Sequence, residues 1–325
     1  MEARTLVTDI QRFCVNDGPG FRTNVYLKGC ALRCRWCHNP EAMSPQPELY
    51  WKRRACVQCG ACLVACPRDA IRPPISPMQA QQEGSTYYKI IWERCDQCMK
   101  CVEACTHGGL MVVGQPMSVA EILDEVERDR EFYENSGGGL TLSGGEPTIH
   151  LEFAIGLLRE AKRRALHVCL DTSGMCNWES LRALAELSDI VLFDVKHLDS
   201  AVHKEATGAG NETILRNLSL LAKETTEIWV RIPVIPKFND SMEFHTRASE
   251  YLATLGIGIT RVDLLPFHNW CEDKYGWLGR KWPLGDLEAL EPGFLEVFAE
   301  LYRSKGFAAT VGGSGFEAQG RAVNA

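Results

Sequence analysis

The chain has 325 residues, 45% of them hydrophobic, and a formal net charge of −7. These values predict a globular protein with one large and one small domain, and they argue against a general nucleic-acid binder, because phosphate neutralisation needs clustered Lys and Arg. The start, Met1 to Leu6, has no apolar signal core, and no apolar run has membrane-spanning length. We therefore expect a protein of the reducing cytoplasm, without a membrane or nucleic-acid partner. The three iron–sulfur clusters predicted below indicate anaerobic conditions.

Short apolar runs alternate with helical patterns along most of the chain, which predicts βα units around a parallel sheet. The predicted strands are 24–28, 140–143, 168–171, 190–194, 228–232 and 262–265, with a further strand at 308–311 whose position is open. The predicted helices are 118–133, 152–164, 178–187, 212–223 and 241–255. Six units predict an α/β fold, a partial (β/α)6 barrel of the TIM type.

The segment 50–114 is rich in cysteine, proline and glutamine and interrupts this pattern. It predicts a small α+β module, similar to a bacterial ferredoxin, inserted into a host formed by 1–49 and 115–325. Within the module, 86–92 is a candidate strand.

Two cysteine runs in the module have the spacing of bacterial two-cluster ferredoxins, in which the fourth cysteine of each run binds the other cluster. A zinc site is the alternative for cysteine pairs, and the eight-cysteine double run favours iron–sulfur clusters over it. The predicted ligands are Cys56, Cys59, Cys62 and Cys105 for one [4Fe-4S] cluster and Cys95, Cys98, Cys101 and Cys66 for the other.

A third group, Cys30, Cys34 and Cys37, has only three cysteines at cluster spacing. A four-iron cluster needs four iron ligands, so three cysteines leave one iron open for chemistry. The two module clusters would be coordinatively full and could only pass electrons. The triplet therefore predicts an enzyme with three clusters in all.

Polar residues follow the predicted strands at the edge where the loops of such a barrel form the active site. Each has an ordinary structural explanation: Gly-Gly-Glu-Pro as a turn, Asp-Thr-Ser-Gly as an Asx-turn, a lone histidine as a core residue. Their convergence beside the triplet favours a ligand site instead. The residues are Gly144, Gly145, Glu146, Asp171, Asp194, Lys196, Arg231 and His268.

The triplet and the following Gly-Gly-Glu resemble the radical S-adenosylmethionine (SAM) superfamily. Further motifs resemble the glycyl radical enzyme activating enzymes, specifically the larger type with a ferredoxin-like insert. The motifs are Asp17-Gly-Pro-Gly-Phe-Arg-Thr23, Lys28-Gly-Cys30, Trp36-Cys-His-Asn-Pro-Glu41, Gly208-x2-Asn211, Ile232-Pro-Val-Ile-Pro236 and Leu264-Leu-Pro-Phe-His268.

This resemblance implies an oxidoreductase whose cluster, held by Cys30, Cys34 and Cys37, receives an electron through the module from a flavodoxin or ferredoxin. S-adenosylmethionine is cleaved to methionine and a 5′-deoxyadenosyl radical, which takes an α-hydrogen from a glycine of a partner glycyl radical enzyme. The chain is expected to be a monomer when free. The sequence leaves the identity of the partner open.

The resemblance also implies site residues. Lys196 and His268 would act in catalysis with the triplet and contact the carboxylate or nucleoside side of S-adenosylmethionine. Asp171, Thr172 and Asp194 could hold a monovalent cation, and Asp17 to Thr23 would lie near the partner's glycine, with a tight turn as the alternative. The S-adenosylmethionine site would comprise Asn39, Gly144, Gly145, Glu146, Asp171, Lys196, Arg231 and His268.

Two other functions stay open at this point. One is a radical enzyme that uses S-adenosylmethionine on a small molecule or nucleoside. The other is an electron-transfer protein whose open cluster has no catalytic role. The aromatic segment Trp270 to Trp282 is either a loop that closes over the site or contacts the partner, or an ordinary packed loop.

Overall fold

The computed structural model describes residues 3–83 and 87–316. The strands in the described residues are β1 Arg4–Cys14, β2 Arg22–Leu27, β3 Glu48–Trp51, β4 Leu110–Val113, β5 Gln115–Ser118, β6 Gly139–Gly144, β7 His167–Thr172, β8 Ile190–Asp194, β9 Glu227–Val234, β10 Ile259–Pro266 and β11 Ala308–Val311. The α-helices are α1 Ala61–Ala65, α2 Pro77–Glu83, α3 Lys100–Glu103, α4 Val119–Glu127, α5 Arg130–Ser136, α6 Leu151–Arg163, α7 Trp178–Ala185, α8 Ser200–Thr207, α9 Glu212–Leu221, α10 Met242–Thr254, α11 Glu272–Trp277 and α12 Pro292–Ser304.

A mixed nine-stranded sheet organises the molecule, in the order β11-β10-β9-β8-β7-β6-β2-β1-β5. The strands from β11 to β2 in this order pair in parallel, and β1 pairs antiparallel with both β2 and β5. The predicted α/β pattern is confirmed, and all six predicted host strands form. The strand at 308–311 joins the sheet beside β10 and brings the parallel strands to seven, one more than predicted.

The predicted helix 118–133 is wrong in one respect, because it forms as two helices. Its predicted capping box is present: the Ser118 hydroxyl accepts from the Glu121 N–H, and the Glu121 carboxylate accepts from the Ser118 N–H. The break lies at the buried Asp129, whose carboxylate accepts hydrogen bonds from Arg12 and Thr23 of the first two strands. This tertiary pairing holds Asp129 in a non-helical conformation, with φ −107° and ψ 12°.

The inserted region has a small sheet and core of its own. β3 pairs antiparallel with β4, and this two-stranded sheet is separate from the large one. The prediction of a strand at 86–92 is wrong for its described part: only Ile90 forms an isolated bridge, to Ile71, and residue 86 lies outside the described residues. The buried apolar residues of this region pack on its cysteines, Cys62 and Cys101 included.

The loop between β1 and β2 meets the segment that follows β11, although these strands stand far apart in the sheet order. The Gly315 N–H donates to the Val15 carbonyl at 2.7 Å. Gly18, with φ +116°, lies so close to β7 that a Cβ would be 2.6 Å from the Cys169 sulfur. Only glycine fits there without strain. These contacts require the sheet to curve, so that its two distant sides approach each other.

Within residues 3–83 and 87–316, no helix combines the length and the apolar character needed to cross a bilayer. All fifteen cysteines lie in the described residues, and all have free thiols.

Candidate active site

The predicted site residues lie at one edge of the sheet because they end adjacent parallel strands. Asp194, the last residue of β8, pairs in register with Arg231 of β9. Asp171 of β7 pairs in register with Leu192, two residues before Asp194. The cysteine triplet follows β2 at the same edge.

A guanidinium surrounded by three carboxylates lies at the centre of this edge. Arg231 Nη1 is 2.7 Å from Asp17 Oδ1 and 3.8 Å from Asp171 Oδ1, and Arg231 Nε is 3.6 Å from Asp194 Oδ1. Burial disfavours the charged Arg231, but the three carboxylates outweigh it and hold its pKa well above the usual value. Burial raises the pKa of Asp171 to about 6, against the opposing effect of Arg231.

Two buried atoms of this cluster make no hydrogen bond: Asp194 Oδ1 and Arg231 Nε. Buried polar atoms without a partner are rare and costly, because each has lost its hydrogen bonds to water. A polar ligand at this position would supply the missing partners.

Lys196 connects the carboxylates to the cysteine triplet. Its Nζ donates to Asp194 Oδ2 at 2.6 Å. Burial disfavours the charged lysine, but Asp194 and Cys34 outweigh it, so its pKa is raised. Burial raises the pKa of the Cys34 thiol to about 12, with Lys196 as the main opposing charge. A cation therefore lies beside the triplet, where it would favour both a thiolate and an anionic ligand.

The three thiols of the triplet are close enough to affect one another's ionisation. Burial is the largest cause of the raised pKa of Cys37, and the charges of Cys34 and Cys30 raise it further. Each of the three side chains is half-buried. Bound iron would replace the thiol protons and relieve this repulsion.

Glu146 is fully buried, and its carboxylate is saturated by protein donors. Oε1 accepts from the hydroxyls of Thr148 and Thr172, at 2.9 and 2.8 Å. Oε2 accepts from the N–H and hydroxyl of Ser173, at 3.0 and 2.7 Å. Glu146 thus ties the loop after β6 to the end of β7, and its contacts are with the protein.

The two glycines before Glu146 pack against the end of β2. A Cβ on Gly144, which has φ +129°, would be 2.2 Å from the Leu27 backbone, and one on Gly145 would be 2.0 Å from the Gly29 carbonyl oxygen. The Gly145 N–H donates to the Leu27 carbonyl. Glycine is therefore required at both positions for packing against the backbone. The sequence pattern alone did not distinguish this reason from close approach to a ligand.

His268 packs against two other aromatic rings. Its centroid is 4.1 Å from that of His38 and 4.2 Å from that of Trp270, whose side chain is 86% exposed. Burial and His268 lower the pKa of His38 to about 4, so the two rings can stack as neutral imidazoles near pH 7. Asn39, beside His38, accepts a hydrogen bond from Lys274 at 3.0 Å.

Sequence reasoning did not single out His38, which packs against His268, or Lys274 and Arg280, which contact the triplet loop from outside the site. His38 lies inside a motif that the sequence displayed, so its signal was available. Lys274 and Arg280 lie in the segment Trp270 to Trp282, which was left open as a loop over the site, but no local pattern marked these two residues, because their partners are more than 230 residues away along the chain. The three residues predicted for a cation have protein partners: Asp171 accepts from Ser143, Thr172 donates to Glu146, and Asp194 accepts from Lys196.

Two cavities in the inserted region are each lined by four cysteines, in the crossed combination that the ferredoxin spacing predicts. The first is lined by Cys56, Cys59, Cys62 and Cys105, and the second by Cys66, Cys95, Cys98 and Cys101. Within residues 3–83 and 87–316, no group of three or more His, Cys, Asp or Glu side chains has the arrangement of a single metal-ion site.

Three family models match the chain. The radical SAM superfamily matches residues 93–247, a 4Fe-4S dicluster domain matches 55–110, and a 4Fe-4S single cluster domain matches 16–65.

Curated relatives match over most of their length. The isethionate sulfite-lyase activating enzyme of Desulfovibrio desulfuricans is 39% identical, over 87% of this chain and 89% of the relative. The benzylsuccinate synthase activating enzyme of Thauera aromatica is 38% identical, over 95% and 92%. The choline trimethylamine-lyase activating enzyme of Oleidesulfovibrio alaskensis is 36% identical, over 96% and 99%.

Proposed function

We propose a residue-level account of the site from the premise that this chain belongs to the glycyl radical enzyme activating enzymes of the radical SAM superfamily. It is an enzyme that activates a partner glycyl radical enzyme. When bound, a reduced cluster with an open iron supplies the electron that cleaves S-adenosylmethionine, and the resulting 5′-deoxyadenosyl radical takes an α-hydrogen from the partner's glycine. This activity replaces the two alternative functions considered above.

Cys30, Cys34 and Cys37 are the proposed ligands of the open-iron cluster. Three neighbouring thiols at the carboxyl edge of the sheet, with the Lys196 ammonium beside them, form a donor set suited to an iron–sulfur cluster and an anionic ligand. This adjacency of triplet, cation and strand-end carboxylates is the single observation that carries the assignment.

The polar cluster next to the triplet is the proposed S-adenosylmethionine site. Asp194 Oδ1 and Arg231 Nε are buried and make no hydrogen bond, and a ligand with both cationic and anionic groups could satisfy both. Lys196 would contact the carboxylate. His268, whose ring packs against His38 and Trp270, would contact the nucleoside, with Asn39 alongside.

The remaining predicted residues would position the loops of this site without contacting the ligand. Glu146 would position the loop after β7 and not touch the ligand, because its carboxylate is already filled. Gly144 and Gly145 would allow the loop after β6 to pack against the end of β2. A monovalent cation at Asp171 and Asp194 would have to compete with Arg231, so we favour Arg231 as their charge partner.

The inserted region would carry the two remaining clusters, in the two four-cysteine cavities, giving three in all. It would be a module of 50–114 within a host of 1–49 and 115–325. The curved parallel sheet of the host is consistent with a partial barrel. We further propose a flavodoxin or ferredoxin as reductant, a monomeric free state and a cytoplasmic location, in keeping with fifteen free thiols.

The relatives act on different partners, as their names state, and their identities to this chain span only 36 to 39%. Identity therefore does not select one of these partners. The partner is proposed only as a glycyl radical enzyme whose radical glycine reaches the carboxyl edge of the sheet beside Asp17.

Reconstituted protein, reduced with dithionite and mixed with S-adenosylmethionine, tests this account. The natural sequence should bind about twelve iron ions, four per cluster, and form 5′-deoxyadenosine. Cys34→Ala should lose about a third of the iron and all 5′-deoxyadenosine above background. Cys14→Ala, outside the three cysteine sets, is the matched control and should keep both. Full cleavage activity in Cys34→Ala would contradict the ligand assignment.

A further inference from the structure

Residues 272–280, which comprise α11 and the turn after it, contact the loop of the cysteine triplet. We call this segment the clasp. The Tyr275 hydroxyl donates to the Cys37 carbonyl at 3.0 Å. Lys274 Nζ donates to Asn39 Oδ1 at 3.0 Å and to Glu41 Oε1 at 2.7 Å. The clasp thus fixes the backbone of a triplet cysteine and a candidate ligand residue together.

Arg280, at the end of the clasp, connects the same loop to the inserted region. Its Nη1 donates to the Pro40 carbonyl at 2.8 Å, and its Nη2 pairs with Glu48 Oε1 at 2.5 Å. The other oxygen of Glu48, the first residue of β3, pairs with the fully buried Lys28 at 2.7 Å. Buried pairs of this kind hold a fixed geometry, because losing one partner leaves an uncompensated charge.

The fit between the clasp and the inserted region is also steric. The Trp277 ring packs edge-on against Tyr50, with centroids 5.5 Å apart. Gly279 has φ +68°, and a Cβ there would be 1.7 Å from Trp92 Nε1. Trp92 lies three residues before Cys95 of the second four-cysteine set.

The clasp is joined more directly to the second cavity than to the first. Leu49, the neighbour of Glu48, lines the second cavity, and its N–H donates to Gln97 Oε1 in the same cavity wall at 3.2 Å. Towards the first cavity, Lys52 Nζ lies 5.4 Å from the centroid of the Trp277 ring, and Arg54 pairs with Asp273 at 3.6 Å, with side chains 92% and 61% exposed. Such an exposed pair contributes little to a fixed geometry.

We propose that the clasp holds the second cavity, and not the first, against the triplet loop, and that Arg280 and Tyr275 are the positioning residues. This rests on the proposed function. A cluster held by Cys66, Cys95, Cys98 and Cys101 would then be the immediate one-electron donor to a cluster held by the triplet, and the flavodoxin or ferredoxin would restore that electron.

Arg280→Met tests the proposal in the reconstituted holoenzyme, with Arg54→Met as the matched control. Hydrogen–deuterium exchange at 37–41 and 48–51 should rise at least tenfold in Arg280→Met and stay within twofold in Arg54→Met. Flavodoxin-driven 5′-deoxyadenosine formation should fall at least tenfold in Arg280→Met. Formation driven by dithionite, which is small enough to reduce the triplet cluster directly, should stay within threefold.

Three outcomes would overturn the proposal: equal exchange in both variants, equal loss with both reductants, or a larger flavodoxin-specific loss in Arg54→Met. If Arg280→Met does not fold, Tyr275→Phe, which removes one hydroxyl, should still raise exchange at 37–41 by at least threefold; unchanged exchange there overturns the proposal. Natural protein that forms no 5′-deoxyadenosine with either reductant would refute the proposed function, while the exchange result would still report on the clasp.

Discussion

Replacing Glu146 by glutamine tests whether this residue holds the site together or contacts the ligand. The carboxylate is fully buried and accepts from the Thr148 and Thr172 hydroxyls on one oxygen and from the Ser173 N–H and hydroxyl on the other. The Ser173 N–H cannot become an acceptor, so the glutamine oxygen must face it. The new amide NH2 then faces the two threonine hydroxyls.

The loss in free energy of unfolding caused by Glu146→Gln follows from the two threonine hydrogen bonds that the amide group replaces. Thr172 Oγ1 already accepts from the Gly174 N–H, so its own proton loses its acceptor. Hydrogen bonds to charged groups contribute roughly 1.5–3 kcal/mol each, which gives about 3 kcal/mol for two bonds at the lower figure. At roughly 2 °C per kcal/mol for a chain of this size, the midpoint of thermal unfolding should fall by about 6 °C.

Anaerobic calorimetry of Glu146→Gln measures this shift, with Glu152→Gln on the exposed side of α6 as the matched control. The control should unfold within about 1 °C of the natural sequence, because exposed substitutions change stability little. An unchanged midpoint in Glu146→Gln, together with weaker S-adenosylmethionine binding, would refute the positioning role and indicate direct ligand contact.

Three further results are expected. Burial lowers the pKa of His245 to about 4, below its unfolded value of about 6.5, so the protein loses stability as the pH falls below 6.5. His245→Phe should remove about 1 kcal/mol of the stability loss between pH 7.5 and 5.5, which calorimetry would show as a flatter pH profile. An unchanged profile would contradict this role of His245. Gly279→Ala should lower the unfolding midpoint by several degrees, because its Cβ meets Trp92, whereas Gly276→Ala, with open space around it, should not; equal midpoints would argue against the close fit. Cys98→Ala should lose about four iron ions but keep dithionite-driven 5′-deoxyadenosine formation, and loss of that formation would contradict the separation of the two cluster regions.

The fold was predictable where local pattern and tertiary environment agree. The host strands are buried apolar runs, and the four residues of the Ser118–Glu121 capping box predict where α4 begins. The helix break at Asp129 was not predictable, because its partners Arg12 and Thr23 lie more than 100 residues earlier in the chain. A strand at 86–92 failed because apolar residues there pack on the cysteine-lined core and do not pair along a neighbouring strand.

The sequence by itself determined the chemistry of this protein: the cysteine spacings, the polar residues at strand ends and the family motifs are short-range patterns, and ligand type depends on residue type and spacing. Only the tertiary structure decided how these parts act on one another. It gave the Glu146 carboxylate its hydrogen-bond donors, surrounded Arg231 with three aspartates, and placed Arg280 between the triplet loop and the inserted region. These contacts join residues from distant parts of the chain, so their energies depend on distances that no local pattern contains.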